Sequence, residues 1–309
     1  MRQPVRDSEP FFETFDHRHF IETKHGGDNH RIACFYVRMK IYVDESHGWA
    51  KYAVTNSINS DYLIKASHPR IANAKKTPLW IFDIDSTLLC LSKRFQHIFF
   101  DYLRFEYRQN VPAAYWAVAQ KLSAETHRYG IAPALTPVMQ ACGVLGAESV
   151  SKALADEMFP FWYRTFFSER YLDHDFSYPD AAVFVSTLHH MGAHICYLTG
   201  RHAKTMTHGT HRTLRGLGFP LDDDRAFLTM KTDLGESDVS YKHRYLSYLN
   251  QRYDVVGFVD NEPENVLAQM QINSAALPVW FHSISSDRVP KLVSFQEKHL
   301  CVLRSFNNQ

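Results

Sequence analysis

From residue 78 onward, short apolar runs recur at 79–83, 193–199, 226–231, 255–260 and 277–281. Each is nearly continuous rather than alternating, as a strand covered on both faces reads. Stretches with helical spacing separate them. The pattern predicts an α/β chain with a Rossmann-like, three-layer parallel sheet core. Ligands of such sheets gather at the carboxyl ends of the strands. Upstream, RIACFYVRMKIYV (31–43) reads as a strand or strand pair and 49–66 as helical. Residues 1–77 are set apart as an N-terminal extension with no assigned role.

One connection is too long for a simple crossover, with over 100 residues between the first run and the second. The stretch 92–175 is rich in aromatics at helical spacing: FQHIFFDYLRFEY, AAYWAVAQKL and VSKALADEMFPFWYRTFF. It predicts an inserted helical subdomain, a lid over the strand ends. The core is then 78–91 together with 176–309. Lys93 and Arg94 open the first insert helix and read as its solvated face.

Composition narrows the class. The chain has 309 residues, 45% hydrophobic and 22% charged, and a formal net charge of +1. That is globular, and it offers no basic field for a nucleic-acid backbone. No apolar run approaches a membrane span. The five cysteines are scattered and never form a CxxC pair, which predicts reduced thiols and a cytoplasmic location. Eighteen histidines invite a zinc reading, yet neither HExxH nor a Cys/His quartet occurs. Oligomeric state is not legible.

The candidate chemistry sits at the ends of the runs. PLWIFDIDSTLLC (78–90) carries Asp83 and Asp85 two positions apart, so in extended chain both carboxylates face the mouth of the sheet. Like charges that close call for a cation, and hard oxygen donors suit Mg2+. AHICYLTGRH ends in Thr199, Gly200 and Arg201, a hydroxyl, an approachable amide and a guanidinium of phosphate-receptor type. A helix from about Ala203 adds its positive end there. Lys242 stands one turn into the helix after the third run, with Lys231 as its competitor. VVGFVDNEPENV ends a further run at Asp260, and Asn261, Glu262, Glu264 and Asn265 are oxygen donors nearby.

The series DIDST, YLTGR, YKHRYL and FVDNEPENV resembles the four motifs of the haloacid dehalogenase (HAD) phosphohydrolase superfamily, over residues 78 to about 285. The insert lies where that superfamily carries a C1-type cap. The resemblance implies a phosphatase with Asp83 as nucleophile and Asp85 as general acid and base. Thr199 and Lys242 would hold and stabilise the phosphoryl group, with Gly200 and Arg201 beside them. Mg2+ would be bound by the Asp83 carboxylate, the Asp85 backbone carbonyl and Asp260. The implied substrate is a small phosphorylated metabolite. A phosphotransferase or mutase of the same chemistry, or a nucleotide or nucleic-acid end phosphatase, is the alternative. Asn261 departs from the family pattern, in which a second acid often follows the Asp260 position.

Overall fold

The structure, a computed structural model, describes residues 20–25, 28–33, 57–107, 157–158, 160–233, 235–283 and 300–307. The chain divides into two compact units, Met1–Lys40 and Ile41–Gln309. In the first, β1 (Phe20–His25) and β2 (Asp28–Ala33) pair antiparallel, with Phe20 opposite Ala33 and His25 opposite Asp28. The strand expected at 31–43 thus begins within β2, and its remainder lies outside the described residues.

The second unit is built on a seven-stranded sheet. Its described elements run β3 (Ser57–Ile58), α1 (Ser60–Ala72), β4 (Pro78–Phe82), β5 (Leu89–Cys90) and α2 (Ser92–Tyr107). A 3-10 turn (Glu169–His174), β6 (Phe176–Ser177), α3 (Ala181–His190), β7 (His194–His202) and α4 (Ala203–Gly216) follow. The chain continues through β8 (Ala226–Lys231), α5 (Asp238–Arg252), β9 (Asp254–Asp260), α6 (Pro263–Ile272), β10 (Leu277–Phe281) and β11 (Cys301–Leu303). The sheet order is β3-β11-β10-β9-β4-β7-β8, and every neighbouring pair is parallel. From β4 the chain builds toward one edge through β7 and β8, then returns to β9 on the other side. The β4–β9 seam is therefore a topological switch point, where sheets of this kind open a crevice.

Strand alternation explains the layers. Trp80 and Phe82 of β4 pack with Phe184, Val185 and Leu188 of α3 on one face. Leu79 and Ile81 pack with Tyr241, Leu246 and Leu249 of α5 on the other. At the β4–β9 seam the Trp80 ring lies over Gly257, where an added Cβ would come within 2.3 Å of it. Only glycine admits that ring.

Two sequence readings change. Within the stretch 49–66 read as helical, Ser57 and Ile58 are an edge strand on β11, and the helix starts at Ser60. The Asn59 side chain accepts from the Tyr62 amide at 2.9 Å and caps it there. Residues 49–56 lie outside the described set. Leu63 of α1 is fully buried in the main cluster, so 57–72 belong to the core sheet and its packing rather than to an extension.

The long connection between β4 and β7 is closed at its base. β5 and β6 pair antiparallel, Leu89 with Ser177 and Cys90 with Phe176, and bring its two roots together. Its described parts are helical: α2, the run 160–166 and the 3-10 turn. Residues 108–156 lie outside the described set.

Candidate active site

Asp83 follows β4 directly and its amide donates to Val259 O at 2.9 Å, which fixes it against β9. A tight turn then reverses the chain. The amides of Thr87, Leu88 and Leu89 converge on the Ile84 carbonyl at 3.2, 3.0 and 2.9 Å. Ser86 takes φ 59° in this turn, a conformation non-glycine residues reach only under constraint. Its carbonyl accepts from the buried Ser283 hydroxyl, which helps hold it there.

Lys242 meets both acids of the seam. Its Nζ donates to Asp83 Oδ1 at 2.6 Å and to Asp260 Oδ2 at 2.7 Å, and all three side chains are buried. The lysine arrives because Ser237 caps α5, accepting from the Ser240 amide at 3.1 Å, and Lys242 stands one turn farther on. Lys231 does not reach the acids; it pairs with Asp238 at 2.5 Å. Of the two lysines, Lys242 is the one at the strand ends.

Asp260 accepts three hydrogen bonds. Its Oδ1 accepts from the Glu262 amide at 2.8 Å, and Oδ2 from Asn265 Nδ2 at 3.0 Å as well as from Lys242. Thr87, to which sequence reasoning gave no role, donates to Asp83 Oδ2 at 2.9 Å and accepts from the Asn261 amide at 3.0 Å. The threonine of DIDST was the available signal. The Asn261 carbonyl in turn accepts from Trp280 Nε1 at 3.0 Å.

Asp85 faces a different set of partners. Arg201 donates to it from Nε at 3.1 Å to each oxygen and from Nη2 at 2.6 Å. Arg94 adds a longer contact at 3.4 Å. Both arginines also grip Asp175, Arg94 at 2.7 and 2.5 Å and Arg201 at 2.8 Å. Arg94 is fully buried, so the solvated-face reading of this residue is wrong: its guanidinium lies against Asp175 and Phe166. Arg201 is likewise buried, with Nη1 on Thr210 at 3.1 Å, and its guanidinium is committed to carboxylates rather than open to a phosphate.

Thr199 is buried near the end of β7 and accepts from the Arg201 amide at 3.2 Å. No contact joins its hydroxyl to Asp83. Beside Gly200 stands the Asp238 carboxylate, 2.8 Å from where a Cβ would be, so that side of the glycine meets an acid instead of open space.

The electrostatics follow from this wiring. Burial pushes the Asp83 carboxyl up to about 7 against the pull of Lys242, with Asp260 and Asp85 adding to the rise. Burial alone would discharge Lys242, but Asp260 and Asp83 outweigh it and hold the ammonium above its ordinary value. For Asp85, burial works upward, yet Arg201 and then Arg94 overcome it and keep the carboxyl below its usual range. With all four carboxylates ionised, Asp83, Asp85, Asp175 and Asp260 face only Lys242, Arg94 and Arg201, which leaves one negative charge uncompensated.

That surplus charge bears on a cation. Among the described residues no group of three or more His, Cys, Asp or Glu side chains is arranged to hold a metal. The donors at the seam are two carboxylates plus neutral oxygens, and Asn265 Oδ1, on the amide that bonds Asp260, is buried without a hydrogen-bond partner. Hard oxygen donors around an excess negative charge fit Mg2+ rather than a softer ion.

No protein-family model matches the chain, and no curated protein matches it. Solved structures do. A haloacid dehalogenase-like hydrolase from Streptococcus pneumoniae is 12% identical, with 74% of this chain and 94% of that one covered and a TM-score of 0.41. A predicted phosphatase from Clostridium acetobutylicum is 14% identical, with 75% and 95% covered and a TM-score of 0.42. A hydrolase from Pseudomonas syringae is 18% identical, with 75% and 94% covered and a TM-score of 0.39. Likenesses this low say nothing of what this chain binds or does, which rests on its own residues.

Proposed function

We propose that the protein is a Mg2+-dependent phosphatase of small phosphomonoesters, working through an aspartyl-phosphate. The observation that carries this reading is Lys242 bridging Asp83 and Asp260 at the carboxyl ends of adjacent strands. A nucleophilic carboxylate needs to be ionised and aimed; the lysine aims it, pulls toward the ionised form against burial, and would temper the charge that develops on phosphorus.

An Asp83 oxygen attacks phosphorus and the ester P–O bond breaks, leaving the phosphoryl group on Asp83. The departing alkoxide takes a proton from Asp85. In the second half Asp85, now a carboxylate, accepts a proton from water. The hydroxide breaks the Asp83–phosphorus bond and frees inorganic phosphate. The arginine grip on Asp85 suits the base role directly; the acid role requires that Asp85 carry a proton when substrate arrives. Thr199 at the end of β7 is the hydroxyl assigned to a phosphoryl oxygen. Asp83, Asp260 and the Asp85 carbonyl are the ligands assigned to Mg2+, which would screen phosphoryl charge when bound.

The test is phosphate release from a broad phosphometabolite panel, with Mg2+ and with EDTA. Release that needs the metal and drops about 10³-fold or more in Asp83→Asn is expected. No release from any member of the panel, with Asp83→Asn indistinguishable from the parent, ends the proposal.

A further inference from the structure

The insert is anchored to the candidate site by charge. Arg94 is the third residue of α2, at the entry to the insert, and Asp175 immediately precedes β6, at its exit. Antiparallel pairing of β5 with β6 puts these two roots side by side. Asp175 then accepts from both guanidiniums through its Oδ2, with Arg94 Nε on Oδ1, and its side chain has no exposed surface. Arg94 is pinned further, by Phe166 O at 3.4 Å and by the Phe166 ring, whose centroid lies 4.7 Å from its guanidinium carbon. Arg201 is pinned on the core side by Thr210 of α4. What projects from this braced pair toward the strand ends is one set of N–H groups, and Asp85 occupies them while keeping 30% of its side chain exposed.

We propose that Arg94 and Asp175, outside the four sequence motifs, are positioning residues: Asp175 aligns the two guanidiniums, and these fix the Asp85 carboxylate. The inference rests on the phosphatase reading for its activity test but not for its geometric one. A buried carboxylate between two buried cations has few alternative arrangements, because each broken contact strands a charge. The orientation of Asp85 is therefore inherited from the neck of the insert. Misplacing a reacting group by about 1 Å can cost on the order of 100-fold in rate.

A double-mutant cycle on p-nitrophenyl phosphate separates positioning from plain support of the fold. Asp175→Asn alone is expected to lower kcat about 10–100-fold with a much smaller change in KM. In an Asp85→Asn background the same change is expected to cost less than about 2-fold, since residues acting as a unit are not additive. Equal losses in both backgrounds overturn the proposal. Should Asp175→Asn not fold, Arg94→Met/Asp175→Leu removes both charges at once, a swap that buried pairs tolerate, and enters the cycle in its place. A crystal structure of the same variant gives the readout that needs no turnover. Asp85 is expected to swing away from Arg201 by roughly 1 Å or more, and an unmoved carboxylate sinks the idea. Wild-type inactivity across the panel would strike only the phosphatase reading, because the position of Asp85 in the variant crystal decides the positioning role without it.

Discussion

Lys242 shows how much one side chain can govern. It neutralises one of two buried carboxylates and is shared by both, so its removal leaves Asp83 and Asp260 facing each other across the seam. Lys242→Ala is expected to cost about 3–5 kcal/mol in a urea melt, the usual penalty for breaking a buried pair from one side. Residual turnover should fall about 10²–10³-fold, the scale of losing one preorganised donor. Lys231→Ala, by contrast, removes a pair on a largely exposed partner, and its effect on both measurements should be small. The order of these two lysine variants would be reversed if Lys231 served the site. Lys242 was readable in the sequence because it falls one turn inside a capped helix. The partners of Arg201 were not, because Asp85 and Asp175 lie 116 and 26 residues away.

At the scale of elements, legibility followed length and burial. The five apolar runs became β4, β7, β8, β9 and β10 with ends shifted by at most a few residues, since a strand covered on both faces has a continuous apolar run. Ser57–Ile58, Cys301–Leu303 and the β5–β6 pair escaped notice: two or three residues are too few to show any period. At the β4–β9 seam a single methyl group probes the packing. Gly257→Ala pushes that methyl into the Trp80 ring and should destabilise by about 1–3 kcal/mol, read as a lower urea midpoint at unchanged m. Trp80→Phe in the same chain should recover part of the loss. A neutral Gly257→Ala would mean the ring can move aside.

For the molecule as a whole, stability and pH are linked through groups that burial has shifted in opposite directions. Burial, helped by Arg304, lowers His282 from its ordinary 6.5 to about 4. The unfolded chain therefore takes up a proton first as pH falls, so the stability this histidine contributes is complete above about 6.5 and lost on descending toward 4. Asp85, also lowered, adds loss in the same acid direction. Asp83, raised to about 7, works the other way: folding favours its protonated form, and its contribution declines as pH rises from about 4 to 7. The melting temperature of His282→Gln should consequently vary less than the parent's between pH 6.5 and 4, by an amount worth about 1–3 kcal/mol at the acid end. Parallel curves for the two proteins would show that His282 titrates normally in the fold. No helix among the described residues is long and apolar enough to cross a membrane.

The apolar spacing by itself determined the layered sheet and delivered Asp83, Lys242 and Asp260 to strand ends or one helical turn beyond, because both patterns are local consequences of burial and backbone period. Only the tertiary structure decided which charges meet. It drew Ser57–Ala72 into the core, turned Arg94 inward, and spent Arg201 on Asp85 and Asp175 instead of leaving it free. Ion pairs form wherever packing brings opposite charges together out of water, and that distance is fixed by the fold of remote segments, not by neighbours along the chain.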